Sequence, residues 1–125
     1  MNQVNDYVSK LSSFIPEFQN LWESDESGCN FGNDSTVHSV FSAFSDVVID
    51  RLIDKTLDNS DQIFNFVESV VVAGGDPSNA ACTCFLENLI NREVNPESFV
   101  SLMGPESVKF CKAWDEFTGV KTRGL

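Results

Sequence analysis

Residues 59–92 read NSDQIFNFVESVVVAGGDPSNAACTCFLENLINR, and this stretch decides the fold class. Apolar side chains fall at Ile63, Val67, Val70 and Val71, then again at Ala81, Cys82, Phe85, Leu86 and Leu89. That is the three-and-four spacing of amphipathic helices. Between the two runs stands Gly74-Gly75-Asp76-Pro77. Glycine reaches the left-handed conformation that closes a helix, aspartate caps a helix start, and proline suits a first turn. The stretch therefore predicts two helices folded back on each other, near 61–73 and 77–92. Ser60 or Asn59 is the expected cap of the first and Asp76 of the second. Helical hairpins of this kind stack into α-solenoids, an architecture that commonly presents binding surfaces to other macromolecules.

The same reading extends in both directions. A short helix is expected near 4–13, with Tyr7, Val8 and Leu11 on one side, and Pro16 starts a second that carries Phe18, Leu21 and Trp22. A long third helix runs from about Thr36 to Leu57, with Ser35 as its cap and Val37, Phe41, Phe44, Val48 and Leu52 as its buried face. Beyond the hairpin, Asn95-Pro96-Glu97 starts a short helix that ends near Met103. Gly104-Pro105-Glu106 starts the last, which reaches about Phe117. In that helix Val108, Phe110, Cys111 and Trp114 face inward, while Lys109, Lys112 and Glu116 face outward. Strand alternation never persists. The expected fold is all-α: one domain over 1–125, built as an irregular HEAT-like or α-solenoid-like stack of six to seven antiparallel helices. Residues 27–35 form its flexible loop and 120–125 its C-terminal tail. No exact internal repeat occurs, so a globular bundle is the rival arrangement.

A chain of 125 residues with 42% hydrophobic content can bury one good core. Eleven Phe against one Tyr suit packing, because Phe has no polar atom to satisfy. The first residues, MNQVNDYVSK, place polar side chains where a secretory signal has its apolar segment. The longest uninterrupted apolar run, 70–73, is far short of a membrane span. The expectation is a cytoplasmic protein with no membrane association. Cys29, Cys82, Cys84 and Cys111 fit that compartment as reduced thiols packed like small hydrophobes. Cys82 and Cys84 diverge by roughly 200° on a helix and cannot share one ion without unwinding. With His38 as the single histidine, no metal site and no cofactor are expected.

Nineteen acids against eight Lys and Arg give a net charge of −11. This argues against direct binding to a phosphate backbone, which needs clustered cations. The acids are also patterned. Asp46, Asp50, Asp54 and Asp58 recur every fourth residue, the first three on one face of the long helix. Like charges at this spacing weaken a helix by a few tenths of a kcal/mol per pair. Arg51 with Asp54 and Lys55 with Asp58 offer partial compensation at i,i+3. Glu23, Asp25 and Glu26 lead into the loop, and Asp34 closes it. A stripe that weakens its own helix has a use if it meets a basic partner; otherwise it is an ordinary solvated face.

Catalysis finds little support. His38 is the one side chain that titrates near neutrality when unperturbed. A Cys29–His38 nucleophile pair requires a loop closure that nothing in the spacing enforces, and Asp115-Glu116 point in different directions on a helix. No phosphate loop, His-Glu-x-x-His or nucleophile elbow occurs. The chain is expected not to be an enzyme, and no catalytic residue is assigned.

The C-terminal half carries a resemblance. Gly75-Asp76-Pro77, then Cys84-Phe85-Leu86-Glu87-Asn88-Leu89, then Met103-Gly104-Pro105-Glu106-Ser107 with Ala113-Trp114-Asp115-Glu116-Phe117, is similar to a group of small bacterial proteins with HEAT-like helical hairpins. Some proteins of this size and acidity are immunity proteins of toxin systems, including contact-dependent growth inhibition. The resemblance spans roughly 63–125 and rests on caps and core positions. It implies a module that binds a protein partner, a basic toxin domain, and neutralises it through an acidic surface. The contacts expected from the charge pattern are Glu23, Asp25, Glu26, Asp34, Asp46, Asp50 and Asp54. The alternative is a general helical adaptor for an endogenous protein, which an exposed apolar groove would favour.

Overall fold

The structure, a computed structural model, describes residues 3–23, 36–92, 97, 99–119 and 122. Its regular elements are helical. They are α1 (Gln3–Phe14), α2 (Glu17–Glu23), α3 (Val37–Asp54), α4 (Ser60–Ala73), α5 (75–91) and α6 (Pro105–Thr118), with a 3-10 turn at Val100–Leu102 before α6. The all-α class and the single domain stand as expected.

Local chemistry sets most boundaries, with some corrections. Thr36 caps α3: its hydroxyl accepts from the Ser39 N–H at 3.2 Å, and the Ser39 hydroxyl accepts from the Thr36 N–H at 3.4 Å. This reciprocal box moves the cap from Ser35, which lies outside the described residues, to its neighbour. At the other end Lys55 adopts left-handed geometry (φ 58°) and stops the helix before Leu57. Asn59 also takes φ 60°, and its side chain reaches the Phe14 carbonyl at 3.2 Å rather than capping α4. Gly74 and Gly75, at φ 80° and 77°, make the turn that the sequence anticipates. Gly74, not Asp76, occupies the cap position of α5, and Asp76 sits exposed in the first turn. The Ser78 hydroxyl seals the hairpin by donating to the Val71 carbonyl at 2.8 Å. The expected sixth helix is reduced, among the described residues, to 3-10 geometry; Asn95 and Pro96 lie outside them.

Inside α5, Ala81–Leu86 widens into a π-helix. The widening has a visible partner. Asn88 donates from one amide nitrogen to the Cys84 carbonyl at 2.7 Å and to the buried Ser45 hydroxyl on α3 at 3.0 Å. Ser45 in turn donates to the Ser42 carbonyl at 2.7 Å. A polar chain thus pins the π turn against α3, with buried hydroxyl and carbonyl both satisfied. The same turn sets Phe85 at the centre of the core. Its ring stacks on Phe44 (centroids 5.9 Å apart) and tilts against Phe64 at 5.9 Å. Phe44 meets Phe18 edge-on at 5.1 Å, and Phe64 stacks on Phe99 at 6.1 Å. Five phenylalanines therefore form one ladder from α2 through α3, α5 and α4 to the segment before α6. Each buried ring contributes about 1.5–3 kcal/mol through burial alone.

Contacts fix the directions of the helices. His38 with Asn79, Ser45 with Asn88 and Asp46 with Arg92 step along together, so α3 and α5 run parallel. Tyr7 beside Phe66, and Phe14 beside Asn59, make α1 antiparallel to α4. α1 touches α2, α3 and α4, and α6 packs on α4 and α5.

Candidate functional site

The surface acids fall into two kinds, and the helical lattice sorts them. Asp46, Asp50 and Asp54 emerge on one side of α3, opposite Phe41, Phe44 and Val48. Asp50 and Asp54 are exposed and make no ion pair among the described residues. Ile53 projects from the same side, seven residues after Asp46, and is 61% exposed. An aliphatic side chain set among carboxylates on a solvated face was not foreseen. Its signal was available: Ile53 breaks the polar face of a helix whose apolar face is already complete.

Asp46 differs from its neighbours. It is half-buried and accepts from the Arg92 guanidinium at 3.1 Å. Burial pushes its carboxyl above the ordinary range, Arg92 pulls it back, and the Asp50 charge pushes it up again. The net displacement is upward, so the ion pair only partly offsets desolvation and like-charge repulsion. Arg51 does not pair within the helix as expected. It reaches Glu17 on α2 at 2.9 Å and ties α2 to α3. Lys55 has left the helix, so the i,i+3 geometry with Asp58 is lost.

Glu23, at the end of α2, accepts from the Gln19 amide at 2.8 Å. Together they border a cleft of about 440 Å³ with Asn5, Val8, Ser9 and Trp22. Asp25, Glu26 and Asp34 lie outside the described residues, as do the loop 27–35 and Cys29. The structure thus brings Asp46, Asp50 and Asp54 together on one face and sets Glu17 beside that helix through Arg51.

A different carboxylate has a structural task. Glu68 on α4 accepts from the Glu106 N–H at 3.0 Å, the Ser107 N–H at 2.9 Å and the Ser107 hydroxyl at 2.8 Å. It caps α6 from 38 residues away, with a negative charge at the positive end of the helix. Burial raises its carboxyl, but those three hydrogen bonds outweigh burial and hold it below the ordinary range. Gly104 is the spatial condition for this clamp. Its backbone (φ −75°, ψ 172°) suits any residue, yet a Cβ there would overlap the Glu68 side chain and lie 2.6 Å from Oε1. Pairing across 38 residues leaves no local pattern, which is why the sequence concealed it.

The polar groups considered for chemistry are dispersed. His38 Nε2 faces the Asn79 amide at 3.3 Å. Asp115 accepts from the Thr122 N–H and hydroxyl at 2.7 Å each, while Glu116 is exposed. Burial, with the Glu68 charge, pushes the Cys82 thiol up to about 11. Burial, with the charges of Asp115 and Cys82, pushes Cys111 up to about 12. Both are held as protonated thiols at neutral pH. Among the described residues no three of His, Cys, Asp and Glu converge as a metal site would require. No helix among them is long and apolar enough to cross a membrane.

No curated protein and no solved structure matches the chain. A family described as "Domain of unknown function (DUF7674)" matches residues 8–119. That match runs from α1 through α6, and so takes in the phenylalanine ladder, the Glu68 clamp and the acidic face of α3. By the extent of that match, the chain belongs to the DUF7674 family.

Proposed function

We propose that the protein is a non-enzymatic binding module of the cytoplasm, an immunity protein that neutralises a basic toxin domain by covering it with the acidic face of α3. One observation carries this reading: Asp50 and Asp54 stand exposed beside the exposed Ile53, on a face of a chain that carries −11. Many toxin domains that cut nucleic acids are basic, because their substrate is a polyanion. Carboxylates set where phosphates would bind speed association and discriminate against wrong partners, while an apolar side chain adds hold. Asp46 is the less available member, since Arg92 and burial already engage it.

The test is affinity capture from the native host at low and moderate salt, with the wild-type chain and an Asp50→Asn/Asp54→Asn variant in parallel. The reading expects a basic toxin domain, held one-to-one in a salt-sensitive complex that the variant loses. Capture of the same housekeeping protein by both chains, insensitive to salt, would replace the immunity reading with that of a general adaptor.

A further inference from the structure

α6 carries a second surface, partly exposed, which the proposed function leaves unused. α6 turns one side to the core through the buried Ser107 and Cys111. A second line, Phe110, Ala113, Trp114 and Phe117, follows the i, i+3, i+4, i+7 spacing of a helical docking stripe. Phe110 and Trp114 are half-buried, whereas Phe117 is 82% exposed, the most exposed of the large apolar residues described.

This ring is held in place. It stacks on Trp114 at 5.8 Å with an interplanar angle of 28°. Trp114 is itself fixed by donating its indole N–H to the Asn91 side chain at 3.2 Å. Asn91 adjoins Arg92, and Arg92 holds Asp46. The aromatic pair therefore connects, contact by contact, with the edge of the acidic face.

We infer that the Trp114–Phe117 stack is an anchor for an arginine-bearing segment of a basic protein partner, the guanidinium lying on the outer face of the Phe117 ring. The occupant follows from charge complementarity. With −11 on each chain, a second copy would bring like charges together, and the exposed Glu106, four residues before Phe110, continues the line of the stripe with a negative charge. Lys109 and Glu116 share one edge of the stripe with opposite charges, and Lys112 lies farther round the helix. One face of Phe117 is taken by Trp114, which leaves the other for a cation. A planar guanidinium stacks on such a face more readily than an ammonium. The fold already uses this chemistry: the Lys10 ammonium sits 5.3 Å from the Phe14 centroid and 5.6 Å from that of Phe66.

The inference rests on the protein-binding reading but not on the α3 stripe. The probe is a synthetic decapeptide of alternating arginine and serine, with its lysine counterpart, titrated against the full chain and followed through the two tryptophan indole resonances. The arginine peptide is expected to shift the Trp114 signal, leave that of the buried Trp22 in place, and bind about three- to tenfold more tightly than the lysine peptide. Phe117→Leu, which keeps an apolar side chain, is expected to erase that preference without unfolding the chain. An unmoved Trp114 signal, or equal binding of both peptides to the wild type, overturns the inference. So does sedimentation as a dimer that Phe117→Leu dissociates. If Asp50→Asn/Asp54→Asn abolishes peptide binding while Phe117→Leu leaves it intact, the α3 reading stands and this anchor falls. The reverse pattern keeps the anchor and removes the stripe.

Discussion

Glu68 at the junction of α4 and α6 and Asp46 on α3 are both carboxylates partly withdrawn from water, yet their surroundings push them in opposite directions. Glu68 receives three hydrogen bonds from the start of α6, and its carboxyl is lowered despite burial. Asp46 receives one guanidinium, loses part of its hydration and faces Asp50, and its carboxyl is raised. Charge alone therefore does not say what an acid contributes. An acid met by oriented N–H groups stabilises the fold, whereas an acid that shares a face with other acids opposes it. The junction has a structural use for its acid; on α3 Arg92 engages Asp46, while Asp50 and Asp54 stand exposed with no ion pair among the described residues.

The sharpest way to break this comparison is at Gly104. Gly104→Ala places a methyl where the Glu68 side chain lies and forces the clamp apart. The expected cost is about 2–4 kcal/mol, combining overpacking with the loss of charge-assisted hydrogen bonds. The measurement is the urea midpoint at unchanged slope. The same substitution made on a Glu68→Ala background should cost much less, because the overlapping atoms are gone. Strict additivity of the two would refute the clamp.

Next in size is Glu68→Gln, which keeps shape but removes the charge. It should cost about 1–3 kcal/mol at neutral pH, since the amide cannot present two acceptor oxygens. Acid should separate the two regions further. With its carboxyl lowered in the fold, Glu68 contributes stability that is complete above the ordinary glutamate value of 4.5 and disappears as pH falls through the lowered one. Asp46 has the opposite sign. With its carboxyl raised above 3.8, it opposes folding at neutral pH, and acid relieves that opposition as pH falls through the raised value. Urea unfolding at a series of pH values should show Asp46→Asn removing a gain on mild acidification. Glu68→Gln should flatten the loss in stronger acid. A wild-type acid limb unchanged by Glu68→Gln would contradict the assignment.

These two regions also differ in how far the sequence disclosed them. The helices were legible, because Val67, Val70, Phe85 and Leu89 carry the period of a buried face and Gly74-Gly75 marks the turn. The stripe at Asp46, Asp50 and Asp54 was legible for the same reason: its spacing is local. The junction was not. Glu68 and Ser107 meet only after the chain has folded, as do Asn88 and Ser45. The Asp76 cap failed because two glycines at positive φ complete the turn without a side chain. The π turn was hidden because its cause is tertiary: Phe85 has to reach between Phe44 and Phe64 while Asn88 ties the widened backbone to α3. Phe117 was legible as the end of a helix. Only the register of Phe110, Ala113 and Trp114 shows it to be the exposed end of a line whose other rings are half-buried.

The smallest stability effect expected is also the most informative about function. Asp50→Asn/Asp54→Asn removes two exposed charges from a face where Asp46 already resists ionisation. Repulsion within α3 falls, so the variant should equal the wild type or gain a few tenths of a kcal/mol in a urea titration at low salt. The gain should fade at high salt, because screening removes the same repulsion from the wild type. A loss above about 1 kcal/mol would mean that these carboxylates brace the fold as Glu68 does, since exposed positions without such a task normally stay within about 0.5 kcal/mol. Stability that holds or rises while capture of a basic partner collapses would instead assign them to binding. Residues whose removal weakens an encounter and leaves the fold unharmed are held by something outside the fold.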